Sequence, residues 1–300
     1  MADTITTLTN LDDAILNLLD KGFLLAGDDN NVVSQFVNRK YSLNANSIDI
    51  VKYASMADAT TALTEGSDVD AVAVTDSKVN FKPLEYGNVV TKTSLRSLQS
   101  GGQIDLGIAG VVGQNMSNTV NALAIQAGEA SSNEIFVAAN EAATVAGDVI
   151  TGTELAKAYT NLAGANIRKF AGDAYIAVMH PDVAHDLRAG ASAGTWTDVN
   201  KYNNEMAVLK NEIGFFQGFR IIQSTGVSIN ADAGASDVDT YHTLCMGQDA
   251  IAQAVSMNPA LKVTGPFDKL GRHMHVGWYG VFKFGILDQD ALQMITSASS

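Results

Sequence analysis

The segment from Ile104 to Ala130 constrains this chain most, because it carries no charged residue between Asp105 and Glu129. Ile108, Val112, Met116, Val120, Leu123 and Ala127 fall on one stripe when wound at about 3.6 residues per turn. The opposite side holds Gln114, Ser117, Asn118 and Asn121, which are polar but neutral. A helix facing water carries Lys and Glu on its outer face. One faced with amides and hydroxyls lies against something else, either its own chain or a neighbouring copy. A membrane span is the competing reading, and the amides in mid-segment argue against it. Gly107, Gly110 and Gly113 weaken the first turns by about 1 kcal/mol each relative to Ala, a cost that close backbone packing would offset. The segment predicts one long packed helix with a soft start.

Composition sharpens this reading. The chain has 300 residues, enough for one large domain or two ordinary ones, and is 46% hydrophobic but only 17% charged. So little charge, with so much Ala, Gly, Asn, Ser and Thr, predicts a large area buried against other subunits. A net charge of −13 excludes bulk electrostatic binding of nucleic acid, although the 19 Lys and Arg leave room for a local basic patch. The single Cys245 excludes an intrachain disulfide framework. The first residues, acidic and polar, lack a secretory signal pattern, so the expectation is a protein of the cytosol or of something assembled there.

Residues 1–40 read as an N-terminal arm, with a short amphipathic helix from Leu11 to Leu25 and a turn at Asp28-Asp29-Asn30-Asn31. Residues 41–93 read as a projecting hairpin. Its strands are Ser47–Tyr53 and Val79–Lys82 with Val89–Thr91, joined by a polar stretch with a turn at Glu65-Gly66. An extended hairpin leaves backbone edges that need a partner. Residues 94–145 hold the long helix and the strand Glu134–Val137. Residues 146–259 read as a compact α/β unit: a helix from Thr151 to Phe170 with Thr153 as a candidate cap, a buried strand Ala174–Met179, a helix opened by Pro181, and a strand Phe219–Ser224. Trp196 and Tyr202 sit in a polar loop. Residues 260–300 return as a long glycine-punctuated strand from Gly271 to Leu287, then Ala291–Ile295.

The motifs that suggest chemistry are weak. Gly107, Gly110 and Gly113 are spaced GxxGxxG, and no strand precedes them, so helix packing is favoured over a nucleotide site. His273 and His275 share a strand face, but no carboxylate or Cys completes a metal site. His180 and His185 lack the zincin spacing, and His180 reads as a hydrogen-bonded turn residue. Cys245 lies in an apolar run and reads as buried and inert. Acidic pairs such as Asp68/Asp70 and Asp237/Asp239 read as solvated loops. No catalytic residue, cofactor or metal is expected.

In order along the chain, several segments resemble those of tailed-bacteriophage major capsid proteins with the Hong Kong 97-type fold. Leu63-Thr64-Glu65-Gly66, Val79-Asn80-Phe81-Lys82-Pro83 and Tyr86–Val90 resemble the hairpin, called the E-loop, and its base. Val178–Leu187 resembles the strand-turn-helix of the axial domain, and Glu212–Ile222 the segment entering its next strand. Leu270-Gly271-Arg272 with Val276–Tyr279 is similar to the closing peripheral strand, especially in actinobacteriophage-like and N4-like members.

The resemblance implies an α+β chain made of N-arm, E-loop, spine helix, peripheral domain and α/β axial domain. It implies copies arranged as pentamers and hexamers in an icosahedral virion shell around weakly held double-stranded DNA. Separate scaffolding, portal and decoration proteins would be partners, with assembly in the host cytoplasm and no membrane. Glu65, Lys78, Lys82, Gln114, Asn118, Asn121, Arg272 and Trp278 are the expected inter-subunit contacts. Some members crosslink an E-loop Lys to a neighbour's Asn. Lys52, Lys78 and Lys82 are present, but no Asn follows Asn258, so no crosslink is expected. An encapsulin shell is the alternative within this fold. An α/β enzyme on residues 146–255 and a surface-layer protein are alternatives outside it.

Overall fold

The computed structural model describes residues 32–42, 47–53, 56–63, 65–66, 68, 71–99, 103–170, 173–190, 197–198, 211–265 and 268–299. The expected helix at Leu11–Leu25, the turn after it, and Trp196 and Tyr202 lie outside them.

A short helix, α1 (Ser94–Gln99), precedes α2 (Gln103–Glu129), whose 27 residues match the charge-poor segment. At about 1.5 Å per residue α2 is ~40 Å long. Its stripe turns inward: Val112 and Val120 are buried, and Ile108, Met116, Leu123 and Ala127 pack beside them. The glycine expectation fails at Gly107 and Gly110, where an added Cβ would meet nothing within 4 Å. Their cost to the helix is not offset by close packing within this chain.

Two sheets share the core around α2. The first has four strands in the order β1 (Asn38–Tyr41), β12 (Ile251–Thr264), β13 (His273–Ile286), β4 (Leu84–Thr93). Strand β1 runs parallel to β12 and covers it only from Ala252 to Val255. Beyond that point no described strand covers this edge of β12, which shifts register between Val255 and Ala260, where Pro259, lacking an N–H, is tolerated. Gly280 on β13 makes room for it, since a Cβ there would lie 2.9 Å from Pro259 Cα.

The second sheet has eight strands. Its path is β5 (Glu134–Phe136), β14 (Leu292–Ser297), β11 (Thr240–Met246), β6 (Tyr175–Met179), β9 (Phe219–Gln223), β8 (Glu212–Phe216), β7 (Thr197–Asp198), with β10 (Ile229–Asn230) beside β11. One face meets α2 through Ile176, Val178, Ile222 and Leu244. The other packs Tyr175, Ala177, Phe219 and Ile221 against α3 (Gly152–Gly164) and α4 (Pro181–Gly190). The cap of α3 is Thr151 rather than Thr153. Thr151 Oγ1 accepts from Thr153 N at 3.2 Å, and Glu154 Oε2 accepts from Thr151 N at 3.0 Å. The helix stops well before Phe170, at Gly164, and Asn166 takes a left-handed backbone (φ 54°) just past its end.

The expected division into segments needs three corrections. Val89–Thr91 belongs to β4, which pairs with β13, so the free hairpin is β2 (Ile48–Tyr53) with β3 (Asp76–Phe81). Strand β12 joins the four-stranded sheet from Ile251, ahead of the expected boundary at 260, and β14 pairs in the eight-stranded sheet rather than beside β13. Residues 38–40 of the expected arm form β1 together with Tyr41, inside the body. A period of two identifies a strand but carries no information about its partner.

Candidate assembly surfaces

The hairpin has a buried foot and an exposed remainder. Ile48, Ile50 and Phe81 are buried against Ala252 and Ala254 of β12. Phe81 lies over bare backbone at Gly285, where a Cβ would come within 2.5 Å of its ring. Past Tyr53, Met56, Leu63, Val72 and Val74 are 52–76% exposed. From Ala54 to Ser77 the sequence has Asp58, Glu65, Asp68, Asp70 and Asp76 and no Lys or Arg. Glu65 is exposed in its turn and Lys82 at the foot. Lys78 is 3.2 Å from Asp49, whose carboxyl is held below its usual range by the bond from Asn80 and then by Lys78.

By contrast, the far end of the four-stranded sheet and α1 carry Lys92, Arg96, Lys262, Lys269 and Arg272. Arg272 is exposed, and its Nε lies 2.9 Å from Asp268. Burial pushes the Asp268 carboxyl up, but hydrogen bonds from the Arg272 backbone and side chain outweigh it and hold the group low. The exposed side chains Leu84, Val89 and Val90 mark β4, the edge strand of this sheet.

A cleft of about 680 Å³ opens where α2 meets the eight-stranded sheet, lined by uncharged groups including Gln114, Asn118, Asn211, Gln223 and Thr225. Gln114 and Asn118 are exposed, as a contact surface requires. Asn121 is not. It is buried, with its Oδ1 accepting from Val32 N (3.2 Å) and Val33 N (3.1 Å) and its Nδ2 donating to Ser224 Oγ (3.1 Å). Trp278 is also internal at 3% exposure, with Nε1 donating to Asn115 Oδ1 at 2.9 Å. Asn88 Nδ2 donates to the same oxygen at 3.0 Å. The neutral face of α2 therefore meets its own chain in part: Ser117 and Asn121 are buried, and Asn115 bridges to β4 and β13.

Converging titratable groups are committed to structural bonds. Glu141 accepts from Asn230 Nδ2 and Thr240 Oγ1, both at 2.7 Å, and lies 3.5 Å from His242. Burial raises its carboxyl, but these partners prevail and hold it below its ordinary value. His180 Nδ1 is 3.1 Å from Asp182, and its ring lies against Tyr241 at a turn, as expected. His275 Nδ1 is 2.9 Å from Thr91 Oγ1. Cys245 is buried, as expected, and burial pushes its thiol up, away from the reactive thiolate. Among the described residues, no group of three or more His, Cys, Asp or Glu could hold a metal, and no helix is long and apolar enough to cross a membrane. Sequence reasoning missed Asn115, the Phe81–Gly285 seat and the Glu141 cluster, all of which join residues distant in the chain.

No protein-family model matches the chain, and no curated protein matches it by sequence. Its fold has clear counterparts among solved structures. The capsid of Ralstonia phage GP4 superposes with a TM-score of 0.70 at 14% identity, covering 88% of this chain and 87% of that one. The head structure of Helicobacter pylori bacteriophage KHP40 gives 0.64 at 11% identity, covering 88% and 87%. The capsid of a native GTA particle gives 0.61 at 11%, covering 90% of each chain. The chain thus has the α+β Hong Kong 97-type fold of phage capsid subunits.

Proposed function

We propose that this chain is a major capsid protein: a structural subunit that assembles with copies of itself, as pentamers and hexamers, into an icosahedral shell enclosing double-stranded DNA, without enzymatic chemistry. The observation that carries this reading is the whole-length match, 88% of this chain and 87% of the GP4 capsid chain. Charge supports it too. The hairpin between Ala54 and Ser77 is wholly acidic, whereas the far end of the four-stranded sheet is rich in cations, so the hairpin of one copy suits the sheet of another. Glu65, Lys78, Lys82, Gln114, Asn118 and Arg272 are the contact residues in this proposal. The net charge of −13 suits a wall that contains DNA without gripping it. The protein belongs to the virion, is assembled in the host cytoplasm, and has scaffolding, portal and decoration proteins as partners.

Negative-stain microscopy with sedimentation of the purified protein tests the proposal. Closed shells tens of nanometres across, or free pentamers and hexamers, are the expected result. A chain that stays monomeric or dimeric in every condition, and whose assembly state ignores deletion of the hairpin tip, overturns it.

A further inference from the structure

Besides the passage from β4 through α2 to β5, the four-stranded and eight-stranded sheets are joined by two adjacent short connections, which form a neck. Gly247–Ala250 carries β11 into β12, and Leu287–Ala291 carries β13 back into β14. The two passages are stitched together. Leu287 N and Asp288 N donate to Ala250 O at 2.9 and 3.3 Å, and Gly247 N donates to Ala291 O at 2.9 Å. On the return passage one Asp288 carboxylate oxygen accepts from Asp290 N at 3.2 Å, opening the turn Gln289–Ala291. The other lies 2.5 Å from Lys52 Nζ. Lys52 belongs to β2, so the hairpin grips the neck itself. The Asp288 side chain is only 17% exposed, which shields the acidic half of the contact. The hairpin foot, Ile48 and Ile50, rests on Ala252 and Ala254, the first residues of β12 beyond the neck. Foot and brace are thus separate along β2, and a stiff ladder held at two points cannot swing about either.

We infer that the Lys52–Asp288 contact is a brace coupling the hairpin to the neck: a change in the relative set of the two sheets moves the hairpin, and a load on the hairpin is felt at the neck. This goes beyond the shell reading and holds for the isolated chain. Lys52 lies two and four positions beyond the foot residues Ile50 and Ile48, about 7 and 13 Å at strand rise, so a small shift of Asp288 is magnified toward the hairpin's outer end.

Hydrogen exchange on the unassembled full chain tests the brace. Lys52→Met keeps the apolar stem and removes the charge. Exchange should rise about threefold to fivefold in peptides covering both Ile48–Tyr53 and Leu287–Ala291, with β6 still protected. Lys52→Arg should restore both. A rise confined to the hairpin, no rise in either, or Lys52→Arg behaving like Lys52→Met overturns the coupling. Should Lys52→Met loosen β6 as well, the unmodified chain decides. Between about 0.01 M and about 1 M salt the screening length falls from ~30 to ~3 Å, and hairpin and neck exchange must rise in step. A neck that does not follow the hairpin overturns the inference.

Discussion

Strands β6 and β3 are of similar length and sit in entirely different surroundings. All five residues of β6 are buried, with α2 on one face and the two axial helices on the other. Of the six residues of β3 only Phe81 is buried, and its sheet has just one other strand. A two-stranded ribbon is marginal in water by itself. The hairpin persists because its foot is seated on the body. The eight-stranded sheet draws its stability from inside the chain, whereas the outer hairpin exposes apolar side chains that none of the described residues covers.

Mutations can break or sharpen that contrast. Phe219 is fully buried, with its ring centroid 5.9 Å from Tyr175 and 6.2 Å from Tyr159. Phe219→Ala should cost about 3–5 kcal/mol in urea denaturation, and a loss below about 1 kcal/mol would contradict a self-sufficient axial core. Asn121→Ala strands Val32 N and Val33 N and leaves Ser224 Oγ with only its bond from Gly226 N, and should cost about 1–3 kcal/mol by the same measurement. Exchange at Val32–Phe36 should rise with it. If stability is unchanged, the neutral face of α2 serves another surface after all. At the hairpin, Val72→Ser with Val74→Ser should leave the dissociated chain within about 0.5 kcal/mol of its original stability while reducing particle yield on gradients. Equal yield would show that these exposed valines have no partner.

The sequence made local features legible and left pairings obscure. The stripe of α2 was readable because a helix satisfies its own backbone, so its pattern depends on few distant residues. The buried strand at Tyr175–Met179 was readable from its apolar run. The α3 cap was legible but misread: Thr151 with Glu154 three residues on has the capping-box spacing, and Thr153 does not. Trp278 was legible in principle, since it shares strand parity with Val276, Phe282 and Phe284, all buried. Asn121 was not. Its partners, two backbone N–H groups and the Ser224 hydroxyl, lie 88 to 103 residues away. The destinations of β4 and β14 were hidden for the same reason, because partner choice is set by tertiary packing.

The position of β14 also governs when a copy becomes usable. Its six residues are all buried, between β5 and β11, although they are translated after every other strand. On the ribosome β5 emerges long before β14 and β11 somewhat before it, and each keeps an open edge until β14 follows. Pairing β14 with β5 then requires contacts across more than 150 residues, which is slow compared with helix or hairpin formation. A growing chain therefore displays its hairpin before it has a finished body to hold it. Partners that bind only the finished body will recognise completed chains and pass over nascent ones.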